Sequence, residues 1–281
     1  MEKWMEVTVM YKAYWGMEFN PFDKEQKGSD YYHGNDFKEA NKRLEHLKNV
    51  KGIGVFIGQP GYGKTCAIRN FVECLNKNLY QIIYIQLTTV GVNDFYRDLS
   101  LSLGLEPCYR KIDNFKQIQN RITSLYREQR ITPVFWIDEA QYLHHSILSD
   151  LKLLMNFEMD SRNYAIMILS GLPSIVTTLS MRIHEALYQR VVIHYSFQGI
   201  TREEIIEYIK SRLELCGVTR IMLEEAAYDV VTSYSNGSIR RVDNLMHKAL
   251  MIGCSKNVRI LDNETLMEAI GEAELLLVDR K

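Results

Sequence analysis

Eight consecutive residues, Gly58-Gln59-Pro60-Gly61-Tyr62-Gly63-Lys64-Thr65, carry the spacing G-x-x-x-x-G-K-[ST] of a phosphate-binding loop. Glycine at three of these positions lets the backbone turn tightly, so that successive N–H groups face phosphate oxygens. Lys64 is placed to reach β- and γ-phosphates, and the Thr65 hydroxyl to hold Mg²⁺. A helix starting near Lys64 adds its positive end. Gly58, Pro60, Gly61, Gly63, Lys64, Thr65 and Cys66 are therefore the candidate nucleotide contacts, with ATP and Mg²⁺ as the implied ligands.

A second constellation lies at Ile137-Asp138-Glu139-Ala140-Gln141. An apolar strand delivering Asp-Glu at its C-terminal edge is the expected companion of the loop, in the adjacent strand position. Asp138 would be the acidic Mg²⁺ ligand, and Glu139 the general base that orients the attacking water. Ser170, expected at a strand end, is a candidate for the γ-phosphate or that water. Arg190, just before another strand, could reach a neighbouring subunit's nucleotide; Arg182 competes for that role. Arg240, on a helix's first turn after Asn236-Gly237-Ser238-Ile239, could address the γ-phosphate within the same subunit. His144-His145 has no acidic or cysteine partner at ligand spacing, which favours a surface pair over a metal site.

These groups need a scaffold, and the apolar patterning supplies one. Gly54–Ile57 reads as a buried strand entering the loop, and residues 66–75 as the helix leaving it, with Ile68, Phe71, Val72 and Leu75 on one face. Further strands are expected at 79–87, 133–137, 165–169 and 191–195, with helices at 94–103, 115–127 and 146–157 between them. Leu151, Leu154, Met155 and Met159 read as core packing on helical spacing. Such alternation predicts an α/β fold, a parallel five-stranded sheet flanked by helices. After Gly199 only helices are expected, opened by the capping box Thr201-Arg202-Glu203-Glu204. The expected partition is an N-terminal arm and helix over 1–50, the nucleotide-binding domain over 51–198 and a small helical lid over 199–281. The aromatic stretch Tyr14-Trp15-Gly16-Met17-Glu18-Phe19-Asn20-Pro21-Phe22 in the arm is expected to be extended but docked.

Composition is globular, and no apolar run approaches a membrane span. The five scattered cysteines suggest reduced thiols and a cytoplasmic protein. With a net charge of −1 there is no global attraction to nucleic acid, so any DNA contact needs a local basic patch. Thr88, Thr89, Arg97, Arg110, Lys111 and Lys116 form the candidate patch.

Together the loop, the Asp-Glu strand, Ser170, Arg190 and the Gly-x-x-Arg helix resemble the AAA+ ATPases. The aromatic opening, Ile137–Gln141 and Gly237-Ser238-Ile239-Arg240-Arg241-Val242-Asp243 narrow the resemblance to the ExeA/TnsC-like branch, from about residue 11 to 275. Ile239 departs from that branch, which often has proline there. The resemblance implies an ATP-dependent regulator of DNA transposition, a ring or filament on duplex DNA that recruits a transposase and disassembles on hydrolysis. A helicase loader or replication initiator, and a nucleotide-switched scaffold with little turnover, are the alternatives. The secretion-type function is less expected, because those members carry a membrane span and a wall-binding domain.

Overall fold

The computed structural model describes residues 11–23, 31–86, 89–158, 162–220 and 222–278. They divide into two compact units, one α/β and one helical. In the α/β unit, helix α1 (Asn35–Val50) leads into β1 (Gly52–Ile57), the loop and α2 (Lys64–Cys74). Then follow β2 (Tyr80–Ile85), α3 (Val92–Ser102), α4 (Lys111–Arg127), β3 (Thr132–Ile137), α5 (His145–Leu154) and β4 (Ile166–Gly171). Short helices α6 (Ser174–Leu179) and α7 (Glu185–Tyr188) precede β5 (Val191–Ser196).

The five strands are all parallel, in the order β2-β3-β4-β1-β5. Strands β1, β3 and β4 are buried along their whole length, which is why they read as continuous apolar runs. The edge strands β2 and β5 keep residues in contact with solvent. Pro133 is tolerated in β3 because the β4 register begins one residue later, at Val134↔Ile166. On α4, Ile118, Ile122 and Leu125 are buried as the spacing predicts, with Phe115 half-buried against the same core.

One expectation is corrected here. The Asp-Glu strand β3 is not the neighbour of the loop strand β1; β4 lies between them. The chain crosses from β1 to the far edge and walks back through β3 and β4. The C-terminal end of β4 therefore stands between the loop and Asp138.

The helical unit contains α8 (Arg202–Leu215), α9 (Glu225–Ser235), α10 (Ile239–Ser255) and α11 (Asn263–Val278). The box at Thr201 is formed as expected: its hydroxyl accepts from Glu204 N–H, and Glu204 Oε2 accepts from Thr201 N–H. The other Glu204 oxygen accepts from Asn35 N–H at 2.6 Å.

The N-terminal arm is not a separate unit. Its described residues up to Asp36 belong with the helical unit, whereas Phe37–Val50 belongs with the α/β unit. The reason is apolar burial: Tyr11, Trp15, Met17 and Phe22 join Tyr208, Met246, Leu250 and Leu261 in one core. Residues 11–15 are helical rather than extended, and the chain then turns at Gly16 with φ of +74°. Trp15 is the anchor. It is 1% exposed, donates Nε1–H to Leu250 O at 2.8 Å, and has the Arg220 guanidinium over its ring. Trp15→Ala is expected to cost about 3–5 kcal/mol, read as a lower denaturant midpoint; a loss under about 1 kcal/mol would show that the arm is only a surface attachment.

Candidate nucleotide site

The loop is shaped by its glycines. Gly61 and Gly63 sit at φ of +83° and +86°, which L side chains rarely adopt. Lys64, 8% exposed on the first turn of α2, donates Nζ–H to the carbonyls of Gly58 at 2.6 Å and Gln59 at 2.9 Å. The ammonium is thus held over the loop by the loop's own backbone. Thr65 on the next position is half-buried, and Cys66 is exposed.

The loop crest, Pro60–Gly63, falls within the helical unit. Ser238 Oγ donates to Pro60 O at 3.2 Å, Ile239 N–H to Gly61 O at 3.0 Å, and Tyr62 OH to Asn236 O at 3.0 Å. The bond from Ile239 gives its departure from proline a physical meaning, since proline has no N–H to donate. Ser238 also caps α10, accepting from Arg241 N–H. Arg240 follows on the first turn, exposed, with its Cβ 3.0 Å from where a Cβ on Gly61 would stand. Asp243 lies one turn on; burial pushes its carboxyl up to about 7, against the Tyr208 hydroxyl at 2.5 Å and the nearby Arg212 and Arg240.

In the α/β unit, Asp138 ends β3 and is 7% exposed. One carboxylate oxygen accepts from Ser170 Oγ at 2.6 Å and from Glu139 N–H at 3.0 Å. The other lies 3.5 Å from Thr65 Oγ1. A hydroxyl and a carboxylate oxygen converging at this spacing suit Mg²⁺, which takes one or two protein oxygens and fills its shell with phosphate and water. Among the described residues there is no cluster of three or more His, Cys, Asp or Glu that would build an all-protein cage.

Ser170 stands at the end of β4, the expected place. It is fully buried, and its hydroxyl also accepts from Trp136 Nε1 at 2.9 Å. Because β4 lies between β1 and β3, the side chain meets Asp138 rather than an open phosphate position. Trp136 was missed by sequence reasoning, although a tryptophan in a buried strand needs an acceptor for its N–H. Its ring packs on Tyr84 at a centroid distance of 4.5 Å. Burial first, then Asp138, raises the Tyr84 phenol above its ordinary range.

Glu139 is exposed and sits in the left-handed region, at φ 52° and ψ 40°. Its carboxylate accepts from Gln141 Nε2 at 2.6 Å. Gln141 was quoted in the motif without a role of its own.

The remaining candidates are spread over this unit. Arg190 is half-buried and donates to Lys152 O at 2.8 Å, near the C-terminal end of α5. Arg182 is exposed. His144 caps α5 by accepting from Ser146 N–H, whereas His145 stacks on buried His184 with ring nitrogens 2.8 Å apart. The adjacent histidines thus face different partners, and burial, then His145, lowers the His184 pKa. Among the basic-patch residues, Thr89, Arg97 and Lys116 are exposed. Arg110 is forked onto Asp113, and Lys111 is paired with Asp150 at 2.5 Å. Thr88, like Met159 of the core cluster, lies outside the described residues.

Residues 47–179 match the family described as "AAA domain". General secretion pathway protein A of Aeromonas hydrophila is 24% identical over 251 residues, 86% of this chain and 44% of that protein. This chain thus spans less than half the length of that relative. Cdc6p from Pyrobaculum aerophilum superposes with a TM-score of 0.70 at 15% identity, covering 90% of this chain and 70% of that one. The Aeropyrum pernix ORC1 protein in complex with DNA gives 0.64 at 16% identity, over 89% and 68%. At such identities the structures establish the fold. Among the described residues no helix is long and apolar enough to cross a membrane.

Ser170→Ala would strand the Trp136 N–H and remove a donor from Asp138. It is expected to cost about 1–3 kcal/mol of stability, read by denaturation, and to weaken Mg²⁺-dependent nucleotide binding more than Mg²⁺-free binding. Equal weakening with and without Mg²⁺ would show that the hydroxyl does not serve the metal ligand.

Proposed function

We propose that this chain, an AAA-type P-loop ATPase through its domain at 47–179, is an ATP-switched protein that assembles on duplex DNA and delivers or licenses a second DNA-acting protein. The supporting observation is the convergence of Thr65, Asp138 and Glu139 beside a loop whose lysine is already poised over it. Residues 58–65 would bind the triphosphate, with Lys64 exchanging its bonds to loop carbonyls for phosphate oxygens. Thr65 and Asp138 would hold Mg²⁺, which supplies charge neutralisation at the β- and γ-oxygens. Glu139 would accept a proton from the attacking water, and Arg240 would address the γ-phosphate from α10. A replication initiator or helicase loader is the form best supported, because Cdc6p and ORC1, the latter seen with DNA, share the fold over about nine-tenths of this chain.

A transposition regulator with a transposase as client is the second reading. It is favoured by the aromatic opening, which resembles that of the ExeA/TnsC-like branch and packs Trp15 into the helical core. The two readings share ATP, DNA and a homo-oligomeric ring or filament and differ in the client. Pull-down against a purified replicative helicase and against a transposase encoded beside the gene separates them.

Glu139→Gln is expected to lower kcat by about 10²–10⁴-fold while ATP-analogue affinity is kept and DNA complexes persist. Turnover within twofold of wild type would overturn the role of Glu139. Duplex binding that ignores both nucleotide and salt would overturn the DNA reading.

Among the described residues Arg97 and Lys116 are exposed and form no carboxylate pair, unlike Arg110 and Lys111, so phosphate contact would fall to these two. Replacing both by alanine is expected to reduce the slope of log K against log salt by about 2, whereas Arg110→Ala should leave it nearly unchanged.

A trans-acting arginine makes turnover depend on protein concentration. Arg190→Ala, or Arg182→Ala if that residue is the donor, is expected to lower kcat by about 10³-fold. Mixing it with Glu139→Gln protein, which supplies the arginine but cannot itself turn over, should restore activity; no restoration for either variant would exclude a donor from a second copy.

A further inference from the structure

We infer that Gln141 is a positioning residue for Glu139, tying that carboxylate to the exit of β4; the inference rests on the reading of Glu139 as the base. The side-chain amide of Gln141 makes two bonds in opposite senses. Its Oε1 accepts from Leu172 N–H at 3.0 Å, and its Nε2 donates to Glu139 Oε2 at 2.6 Å. A backbone N–H can only donate, so the atom facing Leu172 is the oxygen, and the nitrogen then faces the carboxylate. Glutamate at this position has two acceptors, and asparagine is a methylene too short to span both partners.

The surroundings are built for this bridge. A Cβ on Gly171 would stand 2.3 Å from Gln141 Oε1 and 3.2 Å from Ala140 N, so only glycine permits the approach. Glu139 begins the turn in the left-handed region, which sends its exposed side chain back beside Gln141. The bridge removes rotamer freedom from an exposed glutamate, and a base is effective only in a narrow range of positions.

The exit of β4 therefore reaches both acidic residues. Ser170 holds Asp138 directly, and Leu172, two residues later, holds Glu139 through Gln141. A shift of this strand end would move metal ligand and base together.

The test is steady-state ATPase kinetics on the full chain for Gln141→Ala and Gln141→Glu, beside Glu139→Gln, with ATP-analogue affinity and thermal midpoints. Gln141→Glu keeps the length and the acceptor for Leu172 but loses the donor to Glu139. Both variants are expected to lose about 10–10²-fold in kcat, with KM, analogue affinity and thermal midpoint near wild type. A Gln141→Ala kcat within twofold of wild type, while Glu139→Gln is inactive, would overturn the bridge. Parallel loss of kcat, affinity and midpoint in both variants would also overturn it, because the role would then be structural. Should Glu139→Gln itself keep turnover, it is the reading of Glu139 that falls.

Discussion

The candidate nucleotide site depends on how one buried carboxylate is satisfied. Moving a charged group out of water costs several kcal/mol unless hydrogen bonds replace the lost hydration. Asp138 meets this with the Ser170 hydroxyl and the Glu139 N–H on one oxygen, leaving the other turned towards Thr65. Those partners come from β4, from the turn after β3 and from α2. The carboxylate can be held only if the strand between β1 and β3 is in register, with Trp136 opposite Ile168 and Ile137 opposite Leu169. The order of the sheet and the chemistry of the site are one constraint.

The turn after β3 follows from that arrangement. With the Glu139 N–H directed back at Asp138, the backbone enters the left-handed region, at a cost of about 1–2 kcal/mol for a residue with a Cβ. The strain persists because the neighbours leave no alternative: Gly171 opens the space, Gln141 fills it, and Ala140 is fully buried beneath. Strain at this residue and not elsewhere in the motif marks where geometry serves chemistry rather than packing.

The helical unit shows the opposite economy. Its core is apolar and fed by the arm, and its buried polar groups include the bonded Trp15 Nε1, the Arg212 guanidinium on Pro21 O and the Asp243–Tyr208 pair. Ser238 and Ile239 hold the carbonyls of Pro60 and Gly61, so the start of α10 is defined by the loop crest as much as by its own cap. An arginine two residues after that cap is placed by one side-chain and one backbone bond to the crest.

Local chemistry was legible without a structure. Periodicity gave the five strands and the longer helices to within a few residues, though not the short helices α6 and α7, and the loop, the Asp-Glu pair, the Thr201 box and the glycine before Arg240 announced themselves by residue type and spacing. These are properties of contiguous residues, set by short-range sterics and hydrogen bonding. The strand order, the partners of Ser170, the anchoring of Gln141 on Leu172, the Lys111–Asp150 pair and the core residues that receive the arm were decided only by the tertiary structure. Each joins residues far apart in the chain, and their meeting depends on which face and which edge the whole fold brings together. The sequence by itself determined the loop and the Asp-Glu pair that make a nucleotide the expected ligand; tertiary packing decided what holds those residues still.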